Sequence, residues 1–256
     1  MSPVLVDASR YFTGRGLELY QDQAIVAGEW PSPVGLSLGI LSVIVGQALV
    51  MLYFFLWRNY CKPTPIQQAG AVPYSFAEAV RTHLAEPGGF LLMGGYLCGT
   101  WMFNLMPRSY YSFQGGIEWQ HVLTQLMVTD FVQYLMHYLE HKAHPLLYKH
   151  SHKPHHRFIN PRWADAFNGS APDTILMILI PLFTSANVVH CNVWSYMAFG
   201  TIYSGYLTMI HSEYTHPWDS AFRKLGIITA GDHHVHHSAF PNINDGLPPS
   251  DAQTIA

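Results

Sequence analysis

The sequence predicts an all-α, polytopic membrane protein with a histidine-rich, two-metal site in a helical cap on one face of the bilayer. Three observations carry that expectation. Charged residues make up only 11% of the chain while hydrophobic residues reach 49% and aromatics 14%, so much of the surface must face something other than water. Several apolar runs are long enough to enter a membrane. Sixteen histidines outnumber the thirteen lysines and arginines, and most of them cluster.

The first apolar run, Val34 to Trp57, carries no charge and has Gln47 as its only strongly polar side chain. At about 1.5 Å per residue it crosses a hydrocarbon core of about 30 Å. It begins too late and runs too long for a signal-peptide core, so it is read as a span that stays. Residues 1–33 are mixed and polar, and are read as a short interfacial helix. Trp57, Arg58 and Lys62 form an interfacial anchor, which the positive-inside rule places in the cytoplasm. A connector follows, with a surface helix expected from Ser75 to Leu84. A glycine-rich span is expected from Gly88 to Pro107, and a less apolar one over Val122–Leu139 with Asp130 and Gln133 inside it.

Two further runs, Thr174–Val189 and Val193–Ile210, are separated only by His190, Cys191 and Asn192 and read as a helical hairpin. Pro181 in the first arm predicts a tilt, a kink or a re-entrant path. Counting crossings returns every histidine cluster to the side of Arg58. The same side carries Lys142, Lys149, Lys153, Arg157 and Arg162. No basic run suggests nucleic acid. Cys61, Cys98 and Cys191 lie far apart, without metal-ligand spacing, and read as packing residues.

All histidines except His83 and His121 lie between His137 and His237. Ten fall into four boxes: His137 with His141; His152, His155 and His156; His211 with His216; and His233, His236 and His237. On a helix, residues i and i+4 share a face, so His137 and His141 can grip one metal. In His-x-x-His-His, the i and i+3 rings are expected to share a face while the third reaches a neighbouring metal. His211 and His216 are five apart and do not share a helical face; Pro217 disfavours helix at His216, which allows that ring to swing inward. Asp130 lies in helical register with His137 and is a candidate outer partner for a ligating ring, or else a helix–helix hydrogen bond. Glu140 and Glu213 read as spectators. His83, His121, His144, His150, His190 and His234 read as bystanders.

Imidazole suits zinc, copper, nickel and iron alike. Nine or ten ligands exceed one tetrahedral zinc, and structural zinc commonly recruits cysteine. A hydrolytic zinc pair would call for bridging carboxylates, which the boxes do not offer on their ligand faces. An all-imidazole shell at a membrane interface fits a redox pair that activates dioxygen against an apolar molecule arriving from the bilayer. A zinc-dependent membrane hydrolase and a non-catalytic lipid-binding relative are the competing readings.

From Thr129 to Gly246 the sequence resembles the fatty acid hydroxylase / sterol desaturase superfamily. The resemblance rests on Asp130-Phe131, the first box, Leu147-Tyr148-Lys149 leading into His152–His156, and Ala164-Asp165-Ala166-Phe167. It continues through the stretch from His211 to Tyr214 and His233–His237. The boxes are most similar to the sterol C5-desaturase-like branch. The resemblance implies about four core membrane helices and endoplasmic-reticulum residence. It implies two iron ions held by the box histidines, dioxygen as co-substrate, and electrons from NAD(P)H through a haem or flavin carrier protein. The partners expected are a membrane lipid substrate, an electron-transfer protein and the bilayer. The organisation expected is an N-terminal region (1–121), a hydroxylase-like domain (122–246) and a divergent tail (247–256). After the last box the chain keeps Asn242 to Gly246, then departs from the family pattern into Leu-Pro-Pro.

Overall fold

A computed structural model of the chain describes residues 33–67 and 74–239. The interfacial helix expected ahead of Val34, the Asn242–Gly246 turn and the tail fall outside the described residues. Among the described residues the fold is all-α, with an isolated antiparallel bridge between Pro65 and Tyr214 in place of any strand.

Helix α1 (Pro33–Leu56) starts at a proline, whose fixed φ suits the first helical turn, and ends in a π-turn at Trp57–Cys61. Lys62 then adopts a left-handed conformation (φ 47°) ahead of Pro63 and Pro65, which cannot continue a helix. Helix α2 (Phe76–His83) opens on a capping box: Glu78 N–H donates to Ser75 Oγ at 3.2 Å, and Ser75 N–H donates to Glu78 Oε2 at 2.6 Å. Helix α3 (Pro87–Met102) stops short of the Pro107 expected from the apolar run, because the chain turns back with Asn104 at φ 52°. Tyr111 fastens that turn, donating its hydroxyl to the Thr100 carbonyl at 2.7 Å.

Helix α4 (Trp119–Lys142) carries the first histidine box near its C-terminal end. The short helix α5 (Pro145–His150) follows, capped by His144. Helix α6 (Ala171–Val188) contains a π-turn at Ile175–Leu179. The cause is Pro181, which has no N–H to give the carbonyl four residues back. That carbonyl, on Met177, instead takes the Tyr203 hydroxyl at 3.5 Å. Asn192 caps helix α7 (Val193–Met209) by accepting from Ser195 N–H at 2.9 Å. Helices α8 (Asp219–Lys224) and α9 (Ala230–Ala239) complete the cap.

The long helices close into a ring: α1 packs on α7, α7 on α4, α4 on α6, α6 on α3, and α3 on α1. Both arms of the expected hairpin therefore lie against α4. The α1–α7 contact is made close by small residues. A Cβ on Gly46 would lie 2.9 Å from the Thr201 carbonyl oxygen, and one on Gly205 would lie 3.0 Å from Val50. Gln47, alone and polar in its span, donates to the Ser204 carbonyl at 2.9 Å and accepts from Thr208 Oγ1 at 3.2 Å.

Two stretches, Val34–Cys61 and Ala171–Val188, are long and apolar enough to cross a bilayer, and only 22% of each apolar window is buried within the protein. Leu41, Ile44, Leu49, Leu52 and Phe55 of the first and Ile175 and Phe183 of the second point outward, as do Leu123, Met127, Phe131 and Tyr134 of α4. An outward apolar surface of this extent belongs in lipid, and the protein is a membrane protein. Helices α3 and α7, at 16 and 17 residues, fall below the ~20 residues of a full perpendicular crossing.

Candidate metal centre

Nine of the ten box histidines converge in two adjoining groups, His137, His141, His152, His156 and His236 in one and His155, His211, His233 and His237 in the other. Within each group the ligand atoms lie within 4.8 Å of one another. In the first, Nε2 of His137 stands 3.0 Å from Nε2 of both His141 and His236. In the second, His211 Nε2 lies 3.1 Å from that of His155 and 3.0 Å from that of His233, and His233 is 3.0 Å from His237. The groups touch where His156 stacks on His237, ring centroids 4.6 Å apart.

Four segments build the site. His137 and His141 project from the last turns of α4. His152 to His156 occupy a single tight turn, with His156 N–H donating to the His152 carbonyl at 3.2 Å. His211 follows the end of α7, and α9 presents the last box. The second and fourth boxes are each split between the groups. His152 and His156 serve one group and His155 the other; His233 and His237 serve one and His236 the other. The expected i, i+3 pairing is thus replaced by i, i+4. On α9 a period of about 3.6 residues sets i+4 about 40° from i and i+3 about 60° from it, and in the second box the turn closed by the His156 N–H to His152 carbonyl bond brings i and i+4 together.

The structure places several of the expected residues elsewhere. His216 lies outside both groups. Once α7 has ended, the chain runs out to pair Tyr214 with Pro65, which carries His216 to the end of α1. There its Nδ1 sits 2.7 Å from the Tyr53 hydroxyl, and its ring stacks on Trp218. Asp130 is exposed and lies near Tyr203 and Tyr206. It is in register with His137, but seven residues amount to about 10 Å along the axis, out of reach of the ring. Glu140, read as a spectator, is fully buried with Oε2 3.7 Å from His152 Nδ1.

The closest carboxylate is one the sequence did not single out: Asp173, whose Oδ1 is 2.7 Å from His152 Nδ1. In the sequence it resembles the ordinary acid of a helix first turn. His211 Nδ1–H donates to the Leu207 carbonyl at 2.7 Å, which leaves its Nε2 lone pair free to face the group. His234 is no bystander either. It is buried, with Nε2 3.0 Å from the Ser212 carbonyl and Nδ1 3.3 Å from Gln67, which ties α9 to the segment bearing His211. Glu213 is buried under the Tyr74 hydroxyl and the Trp163 N–H. His83, by contrast, is a buried core residue against Trp163 and Phe167.

Burial, reinforced by neighbouring imidazoles, holds His152, His155, His156, His233 and His236 far below the ordinary imidazole range. By burial first, His211 falls to about 4 and His237 to about 2. These rings are neutral at pH 7, the form that binds metal. His152 Nε2 and both ring nitrogens of His156 are buried without a hydrogen-bond partner. Lone pairs facing one another at 3.0 Å are repulsive, and a cation between them converts that repulsion into binding. The donor set therefore fits two metal ions.

Residues 122–248 match the fatty acid hydroxylase family. Over 214 residues the chain is 56% identical to the alternative squalene epoxidase of Phaeodactylum tricornutum, covering 82% of this chain and 62% of that protein. It is 34% identical over 132 residues to a probable Delta(7)-sterol 5(6)-desaturase of Neurospora crassa, covering 47% of this chain and 33% of that one. The chain thus spans less than two thirds of either relative's length. No solved structure matches it.

Proposed function

Because the histidine-bearing half of this chain, residues 122–248, belongs to the fatty acid hydroxylase family, we propose that the protein is a membrane oxygenase. It holds two iron ions in its two histidine groups and epoxidises an apolar isoprenoid olefin of the squalene type. The observation that carries the metal reading is the spacing of the ring nitrogens. Separations of 3.0–3.1 Å match bonds of about 2.1 Å meeting at about 90°, whereas a tetrahedral site would hold its nitrogens about 3.4 Å apart. Four or five imidazoles in each group reach or exceed the four ligands of a structural zinc, which commonly recruits cysteine, and would suit iron. The identity to the Phaeodactylum protein, over most of this chain, favours epoxidation.

Bound there, the iron pair would supply dioxygen chemistry: alkene, O2, two electrons and two protons give epoxide and water. The protein's own residues do the rest. Asp173 and the Leu207 carbonyl fix the orientation of His152 and His211. Burial keeps the rings neutral and keeps bulk water away. The outward apolar faces of α1, α4 and α6 support a route by which an olefin would reach the centre from the lipid.

Electrons would come from NAD(P)H through a haem or flavin carrier docking on the basic face around Lys149, Lys153 and Arg157. Four crossings, with the boxes cytosolic on an endoplasmic-reticulum membrane, complete the proposal. The test is to incubate the purified full chain with squalene, a reductase system and 18O2. Epoxide labelled from 18O2, with about two irons per chain, is expected; stoichiometric zinc and turnover without dioxygen would overturn it. Similarity to the Neurospora protein supports a second reading, desaturation of a sterol. That reaction would consume dioxygen yet leave no label in the lipid.

A further inference from the structure

The two histidine groups differ in what stands behind their rings. Behind the four-histidine group are main-chain carbonyls: Leu207 at His211 Nδ1, Asn168 at His155 and Phe158 at His237. Behind His152 of the five-histidine group are two carboxylates. Asp173 Oδ1 is 2.7 Å from His152 Nδ1, and Glu140 Oε2 is 3.7 Å from the same atom. A carbonyl is a neutral acceptor. A carboxylate forms a hydrogen bond roughly twice as strong and raises the basicity of the ring it holds.

The carboxylate of Asp173 is itself held in place. Its N–H donates to Ser170 Oγ at 3.2 Å, and Ser170 Oγ–H donates to the Ser151 carbonyl, next to His152, at 2.6 Å. Its Oδ2 occupies space that only Gly169 leaves open, since a Cβ there would lie 2.4 Å from it. The first turn of α6 is thereby built around one ring of the five-histidine group.

We infer that Asp173, seconded by Glu140, is a positioning residue selective for one of the two metal positions. It turns His152 so that Nε2 faces the five-histidine group, and it makes that position the tighter of the two. The inference rests on the reading that the groups hold a metal pair, but not on iron or on the substrate.

The test uses the full-length protein, purified in detergent and stripped with chelator. Cobalt(II) is titrated into wild type, Asp173→Ala and Asp173→Asn, following bound metal per chain and the visible cobalt bands. Wild type is expected to bind two ions in two resolved steps. Asp173→Ala should weaken the tighter step by about 10–100-fold, leaving the other step and its bands unchanged. Asp173→Asn keeps the shape and an oxygen that accepts from Nδ1–H but loses the charge, and should retain both steps with a loss between wild type and Asp173→Ala. Two bound ions with affinities that Asp173→Ala leaves unchanged, or weakens equally, would overturn the inference alone. So would Asn proving as damaging as Ala. A wild type that binds fewer than two ions would overturn the two-metal reading and this inference with it.

Discussion

The Tyr53 hydroxyl and His216 Nδ1 lie 2.7 Å apart, although 163 positions separate them along the chain. The contact joins the end of the first apolar helix to the cap, inside a cage of Trp57, Phe54 and Trp218. This placement points to cohesion, since His216 stands outside both histidine groups. His216→Ala is therefore expected to retain the wild-type metal content and most of the activity, and to lower stability. Tyr53→Phe, which removes only the hydroxyl, should cost about 1 kcal/mol. His211→Ala should lose an ion and activity together. Metal analysis beside thermal inactivation separates these outcomes; loss of a metal ion from His216→Ala would restore that ring to the ligand set.

Metal removal should destabilise the whole cap. Within the two groups ring nitrogens face one another at 3.0–3.1 Å, and a cation between them would relieve that repulsion. An ion present at 100 times its dissociation constant stabilises the folded state by about 2.7 kcal/mol. Chelation is expected to lower the melting temperature and increase protease cleavage in the segment 151–157. Fe(II) should reverse both effects, and Mg(II), which prefers oxygen ligands, should not.

The α1–α7 contact offers a test with an internal control. A Cβ on Gly46 meets the Thr201 carbonyl oxygen at 2.9 Å, a backbone atom that cannot step aside, whereas a Cβ on Gly39 meets nothing within 4 Å. Gly46→Ala is expected to destabilise by about 1–3 kcal/mol. Gly39→Ala, on the same helix, should be neutral or stabilising by up to about 1 kcal/mol. Thermal unfolding in detergent compares them directly; equal effects would dissolve the close-packing argument.

His83 should give the protein a pH dependence separable from that of the histidine groups. Burial lowers this ring from the ordinary 6.5 to about 4. The unfolded chain therefore takes up a proton below pH 6.5 that the folded chain refuses until about pH 4. Its contribution is fully present above pH 6.5 and declines as pH falls through that window, by about 3 kcal/mol at most. His83→Phe removes the titrating group. The stability difference between wild type and variant should move in the variant's favour from pH 6.5 to 4, and parallel curves would count against this account.

Much of this architecture is written locally and could be read from the chain. The charge-free run before Trp57, the Ser75–Glu78 cap and the i, i+4 pair His137/His141 each depend on neighbours a few residues away. Pro181 announced a distortion of α6, because a missing N–H acts on its own helix. What escaped reading depends on distant partners. Asp130 had the right angular register and the wrong height. Asp173 looked like a first-turn acid until folding brought His152 against it. His216 followed a strand-like bridge to Pro65 that no periodicity encodes. His234, between two ligand-spaced neighbours, took its meaning from Ser212 and Gln67.

The split of the second and fourth boxes has a consequence for how such proteins can diverge. Exchanging one histidine for another residue injures one metal position and leaves its neighbour nearly intact. Adding or deleting a single residue between His233 and His237, on α9, would rotate everything beyond it by about 100° and turn each ring toward the wrong group. Within these segments, lineages should therefore tolerate spelling changes far better than changes of length, and surveys of natural variants should find the spacing inherited as a single indivisible trait.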